Sequence, residues 1–272
     1  MNDVNDEYKP DVLKVFFGLP YSASEHIEIR QPKVRDIVEF GEEKFWGFVT
    51  RFAANTTSLR LPLWKMGIDW NKISDFELFR SLVNGFHPEE TKILFDEKID
   101  FTKFVPVEIP VETQEEDLEN PETKTAIVLV NEERPEIQID EEIYTRMVQF
   151  VRLATGYHPK VERVKGKIGK QSVIDEEEFN AKIAERKRQK DPLSGSFLLP
   201  LFSFCLNHPG FKYKKAEILD MNLFEFLDSV HRILNTESVQ ALMSGMYSGF
   251  MDTSKIDFNK DANFTKDLYE KD

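Results

Sequence analysis

Residues 125–156 read TAIVLVNEERPEIQIDEEIYTRMVQFVRLATG and carry both kinds of element from which the fold is built. Thr125-Ala126-Ile127-Val128-Leu129-Val130 is short, β-branched and bounded by polar residues, which predicts a strand. Ile137 and Ile139 alternate with Gln138 and can pair with it across an Asn131–Pro135 turn. Asp140 then stands where a helix N-cap is needed. Ile143, Met147, Phe150, Val151 and Ala154 recur on one helical face, and Gly156 is a natural stop. The stretch sets the expected class: α+β, mainly helical, with a short antiparallel β element.

Further helix starts follow the same logic. Ser74 and Glu77 have capping-box spacing, Ile73 and Leu78 can staple the start, and Phe79, Leu82 and Val83 continue the stripe towards Gly85. Asn222 and Glu225 start a helix carrying Leu223, Phe226, Leu227, Val230, Ile233 and Leu234. Asp175 and Glu178 predict another, which ends in Arg186, Lys187, Arg188 and Lys190, cations that suit the carbonyl end of a helix dipole. Val105, Val107, Ile109 and Val111 alternate, but Pro106 and Pro110 restrict them to an edge strand or an extended connector. Val12 to Phe17 reads as one more strand. About five or six helices are expected, with no internal repeat and no heptad array.

Composition divides the chain into regions. Residues 1–111 form an aromatic-rich N-terminal domain that holds all three tryptophans. The segment ETQEEDLENPE, 112–122, has six acids and no base, so residues 112–124 read as a solvated acidic linker. Residues 125–272 read as a mainly helical C-terminal domain, interrupted by a basic, glycine-containing linker at 160–171.

The chain has 272 residues, a net charge of -13 and one cysteine, Cys205. Its average field repels phosphate backbones, which argues against nucleic acid as the main partner. A lone cysteine excludes an intrachain disulfide and an all-cysteine zinc site. The five histidines, at 26, 87, 158, 208 and 231, are scattered. The N-terminus lacks the order of a secretory signal, and the apolar run Phe197–Leu206 is about half a membrane span. A soluble protein without membrane contact, made in a reducing cytoplasm, is expected.

Chemical motifs fail on spacing. Gly166-Lys-Ile-Gly169-Lys170 lacks the four residues between glycines that a phosphate loop needs. Asp257, Asn259, Asp261 and Asn263 start like a calcium loop, but Ala262 stands where glycine is required and Leu268 where a bidentate glutamate is required. Ser244-Gly245-Met246-Tyr247-Ser248-Gly249 is not a nucleophile elbow. Cys205 and His208 could share a helix face, yet nothing lowers the thiol pKa, so a buried structural cysteine is expected. The acid runs at helix starts match dipoles rather than forming a catalytic pair. The basic stretch 160–190 has Phe179 as its one aromatic for base stacking.

Three stretches resemble conserved structural-module proteins of phages infecting Gram-positive bacteria. They are Pro32 to Phe45 (PKVRDIVEFGEEKF), Gly67 to Phe79 (GIDWNKISDFELF), and Leu198 through NLFEFLDSV, 222–230, to LMSGMYSG, 242–249. The family is placed with tail assembly chaperones and tail-morphogenesis proteins. The resemblance implies a non-enzymatic tail-assembly factor with no catalytic residue, metal or cofactor. It implies other phage tail proteins as partners, a tape-measure helix among them, and a place in the host cytoplasm or in the virion. Self-association is compatible with such a role. A partner helix is expected to lie along Leu223, Phe226, Leu227, Met243 and Met246. The alternatives are a permanent virion subunit of baseplate, tail or connector, and an enzyme whose site no motif betrays.

Overall fold

The computed structural model describes residues 9–95, 99–110, 125–190, 195–249, 254 and 256–266. The fold is α+β and mainly helical. Its elements are α1 (Val12–Phe16), β1 (Tyr21–Ser24), β2 (Ile27–Ile29), α2 (Val34–Phe40), α3 (Glu42–Phe52), α4 (Arg60–Lys65), α5 (Asp75–Leu82) and α6 (Pro88–Thr91). There follow β3 (Phe104–Pro110), β4 (Thr125–Asn131), β5 (Gln138–Ile139), α7 (Glu141–Thr155), α8 (Lys167–Lys190), α9 (Leu198–Asn207), α10 (Lys215–Asp220) and α11 (Leu223–Tyr247).

The stretch 125–156 folds as its pattern predicts. β4 is the middle strand of a three-stranded antiparallel sheet, with Leu129 opposite Ile139 and Val130 opposite Gln138. β3 lies on the other side, at an edge, where Pro106 and Pro110 cost few ladder bonds. Val111 and the acidic segment 112–122 lie outside the described residues. Asp140 accepts the Ile143 N–H at 2.8 Å, and α7 stops at Gly156 with φ +68°. α5 starts with the Ser74–Glu77 capping box and α11 with Asn222 accepting from Glu225 N–H.

Three expectations are corrected. Residues 12–16 form a helix, not a strand, because Asp11 accepts the Leu13 and Lys14 N–H groups and caps it. α8 begins at Lys167, eight residues before Asp175, so part of the 160–171 stretch is helix. The rest is pinned rather than loose. Asn55 Nδ2 donates to Lys160 O at 2.9 Å, Asn71 Nδ2 to Val164 O at 2.8 Å, and Thr57 Oγ1 accepts Glu162 N–H at 3.2 Å. Among the described residues there are eleven α-helices, more than the caps alone indicated.

The composition boundary between 111 and 125 is not a packing boundary. One core runs from Val15 to Val230. At its centre the Phe52 ring meets Phe48, Phe79, Phe86, Phe95 and Phe101, with centroids 5.2–5.8 Å apart. Tyr21 stacks on Phe150 at 4.9 Å, and Phe79 meets Tyr144 at 4.8 Å. Each such ring contributes about 1.5–3 kcal/mol by leaving water. A smaller cluster joins Ala54, Leu63, Trp70 and Leu78 to Ile174 of α8.

Candidate interaction surface

α11 has 25 residues and two different halves. Its start is fixed by a cross-strand-like contact: Val34 N–H donates to Met221 O and Leu223 N–H to Pro32 O. Asn222 Nδ2 also donates to Phe16 O at 3.2 Å. This ties the first turns to α1 and α2 and sends one apolar stripe inward. Leu223 and Phe226 have no exposure and Leu227 has 8%. The Phe226 ring lies 4.7 Å from that of Phe202 on α9. Three of the five residues expected to hold a partner therefore belong to the core, because the spacing that makes a docking stripe also makes a core stripe.

The second half of α11 emerges from the body. Val239 is its last buried residue. Met243 and Met246 are half-buried and Tyr247 is 87% exposed. The hydroxyls of Ser244 and Ser248 bond back to Gln240 O and Gly245 O, so neither is poised as a nucleophile. On one flank Arg232 Nη1 donates to Lys266 O at 2.8 Å, and Asn235 Nδ2 donates to Asn263 O and Phe264 O. The C-terminal segment is thus held against α11 by backbone carbonyls.

α9 is the other surface element. Pro200 is its third residue, in the first turn, where the missing N–H costs little. Its first donors are satisfied jointly: Glu42 Oε1 of α3 accepts the N–H groups of Phe197 and Leu198, each at 2.8 Å, and Ser196 Oγ accepts that of Leu199 at 3.0 Å. Leu198 and Cys205 face the core, while Phe197, Leu199 and Leu206 are about half exposed. Burial pushes the Cys205 thiol pKa up, the reverse of what a nucleophile needs. His208 turns to other partners. Its Nδ1 accepts Gly210 N–H at 3.0 Å, which leaves Nε2 to donate to Glu237 of α11 at 2.8 Å.

The remaining chemical candidates resolve into structure. Lys170 lies 2.6 Å from Asp69 and 5.5 Å from the Trp70 ring centre, and its own N–H bonds to Gly166 O in the first turn of α8. Its hydrogen bond holds the Asp69 carboxyl below the usual carboxylate range. Asp257 Oδ1 accepts the N–H of Asn259 and Asp261 Oδ2 that of Asp257, a closed polar turn. An open groove of about 1010 Å³ lies between β2, α2 and α6. Three of its charged residues have structural partners: Arg30 donates to Ile93 O, Asp36 accepts Lys33 N–H, and Glu90 pairs with Arg51. Among the described residues no group of three or more His, Cys, Asp and Glu could hold a metal ion, and no helix is long and apolar enough to cross a membrane.

Phe197, Leu199 and Leu206 of α9 and Tyr247 of distal α11 are among the large apolar side chains that the described residues leave in solvent. Comparison with protein-family models, curated proteins and solved structures finds no match for the chain.

Proposed function

We propose that the chain is a non-enzymatic phage tail-assembly factor that binds another tail protein, a tape-measure helix being the candidate, in the host cytoplasm during morphogenesis. The observation that supports this most is the apolar side chains left on the α9–α11 layer: Phe197 at 52%, Leu199 at 47% and Tyr247 at 87% exposure on a chain of net charge -13. Apolar groups rimmed by charge suit the apolar face of an amphipathic helix. The resemblance of residues 32–45, 67–79 and 198–249 to phage tail-morphogenesis proteins supplies the class of partner. Of the residues first expected to bind, Met243 and Met246 stay with the binding face, and Leu223, Phe226 and Leu227 carry it from below. No cofactor, metal or nucleic acid has a part in this reading.

The test is co-purification of tape-measure fragments with the wild type and with a Met243→Asp, Met246→Asp variant. Retention by the wild type and loss by a folded variant is the expected result. A protein absent from that pull-down but present in fixed copies in purified virions is a permanent tail subunit instead.

A further inference from the structure

α8 is unlike the other long helices. Of its 24 residues one, Ile174, is buried. Glu177 and Glu178 share the face of Ile174 and turn to the body, where they pair with Arg60 at 2.6 Å and Lys65 at 2.9 Å. Half a turn away, Glu176, Phe179, Ile183, Arg186 and Lys190 follow one another at spacings of three, four, three and four. That alternation keeps side chains on one seam of a paired helix. Phe179 is 63% exposed, Ile183 is partly covered, and Glu176, Arg186 and Lys190 are exposed.

The seam is also ordered by charge: an acid first, an apolar pair in the middle, bases last. Such a stripe complements itself when a second copy runs antiparallel. Phe179 then meets the partner's Ile183, and Glu176 meets the partner's Arg186. Both pairs share one midpoint, Ala181, so a single two-fold axis satisfies them together, as an isologous interface requires. A parallel copy would set Glu176 beside Glu176 and Arg186 beside Arg186.

We propose that α8 is a self-association arm whose partner is the α8 of a second copy of this chain, packed antiparallel. The seam from Glu176 to Lys190 is about 22 Å long at the helix rise. An interface of that length is at the small end of the specific range, so the dimer is weak, with a dissociation constant of about a micromolar or higher. Its rim pairs are exposed, so it loosens in high salt.

The experiment is analytical ultracentrifugation of the full chain over a concentration series from micromolar upward. Glu176→Arg and Arg186→Glu each place like charges at both symmetric pairs, and each should weaken association at least about tenfold. An equimolar mixture of the two variants should associate again, as a heterodimer. The double variant E176R/R186E should self-associate like the wild type. All these positions are exposed, and a melting curve checks that each variant is folded. A wild type that stays monomeric throughout overturns the proposal. So does a dimer that ignores the reversals, or a mixture that stays monomeric. No tail protein enters the measurement, so its outcome is independent of the proposed partner.

Discussion

Glu42, in the first turn of α3, closes the N-terminus of α9 some 155 residues later. Its Oε1 accepts from Phe197 and Leu198 N–H, and its Oε2 lies 2.6 Å from Ser196 Oγ. The carboxylate adds to the local cap, Ser196, whose Oγ accepts the Leu199 N–H at 3.0 Å, and it also complements the positive end of the helix dipole. Beside it the Phe197 ring packs edge-on to Trp46, with centroids 5.4 Å apart.

Removing that carboxylate should loosen α9 without melting the core. Glu42→Ala leaves two N–H groups and a hydroxyl without their acceptor and should cost about 1–2 kcal/mol. Urea unfolding gives the loss, and Trp46 emission should shift to the red before the global transition. A variant as stable as the wild type, with unchanged emission, would show that water replaces the carboxylate at no cost.

The two halves of α11 should answer mutation differently. Phe226 is fully buried against Phe202, so Phe226→Ala should cost about 3–5 kcal/mol, and Phe226→Asp should prevent folding. Met243 lies beyond Val239, the last buried position, so Met243→Asp should change the melting temperature little. Equal effects at the two sites would mean that the distal half is also core.

Caps, stops and strand alternation were legible because they are local. Ser74 with Glu77, Asp140 with Gly156, and Asn222 with Glu225 each complete their hydrogen bonds within one turn, so the residues that signal the helix are the residues that cap it. α9 was only half legible: Ser196 is a local cap that accepts the Leu199 N–H at 3.0 Å, but the two N–H groups before that one are closed by Glu42, far off in sequence. The pinned stretch at 160–164 looks like a flexible linker in sequence because the side chains that hold it, Asn55, Thr57 and Asn71, are about a hundred residues away. Residues 12–16 could have been found: Asp11 is an ordinary N-cap, but the apolar alternation after it outweighed that signal. The α11 stripe shows a deeper limit, because periodicity tells that a face is covered but not whether by the chain itself or by a partner.

Arg152, largely covered, closes the α7 end of the core onto the chain just after α3. Its Nε donates to Ala53 O at 3.0 Å and Nη2 to Ala54 O at 3.1 Å, and burial lowers its pKa from the usual arginine value. The guanidinium satisfies the two carbonyls that follow α3, those of Ala53 and Ala54, with one rigid fork. A lysine has a point charge and cannot span both. Arg152→Lys should therefore cost about 1–3 kcal/mol although the charge is kept. Chemical denaturation measures it, and a neutral result would mean that the contact is electrostatic rather than geometric.

The pairing of Asp69 with Lys170 predicts how the Trp64–Trp70 cluster responds to acid. The hydrogen bond from Lys170 holds the Asp69 carboxyl below its usual range, and Lys170 lies over the Trp70 ring. A depressed carboxyl pKa means that the folded state binds the proton less readily than the unfolded one. The stabilisation is then complete above the ordinary carboxylate range and is lost as pH falls through the lower, folded value. Both groups keep some solvent contact, so the effect is small and should be read locally. In a Trp46→Phe background, acid titration of the tryptophan emission should show a step below the usual carboxylate range as Lys170 leaves the ring. Asp69→Asn should abolish that step and give the acid-like emission already at neutral pH. Superimposable titrations of the two proteins would show that Lys170 is held over Trp70 by the turn of α8 alone, and that the ion pair adds nothing to it.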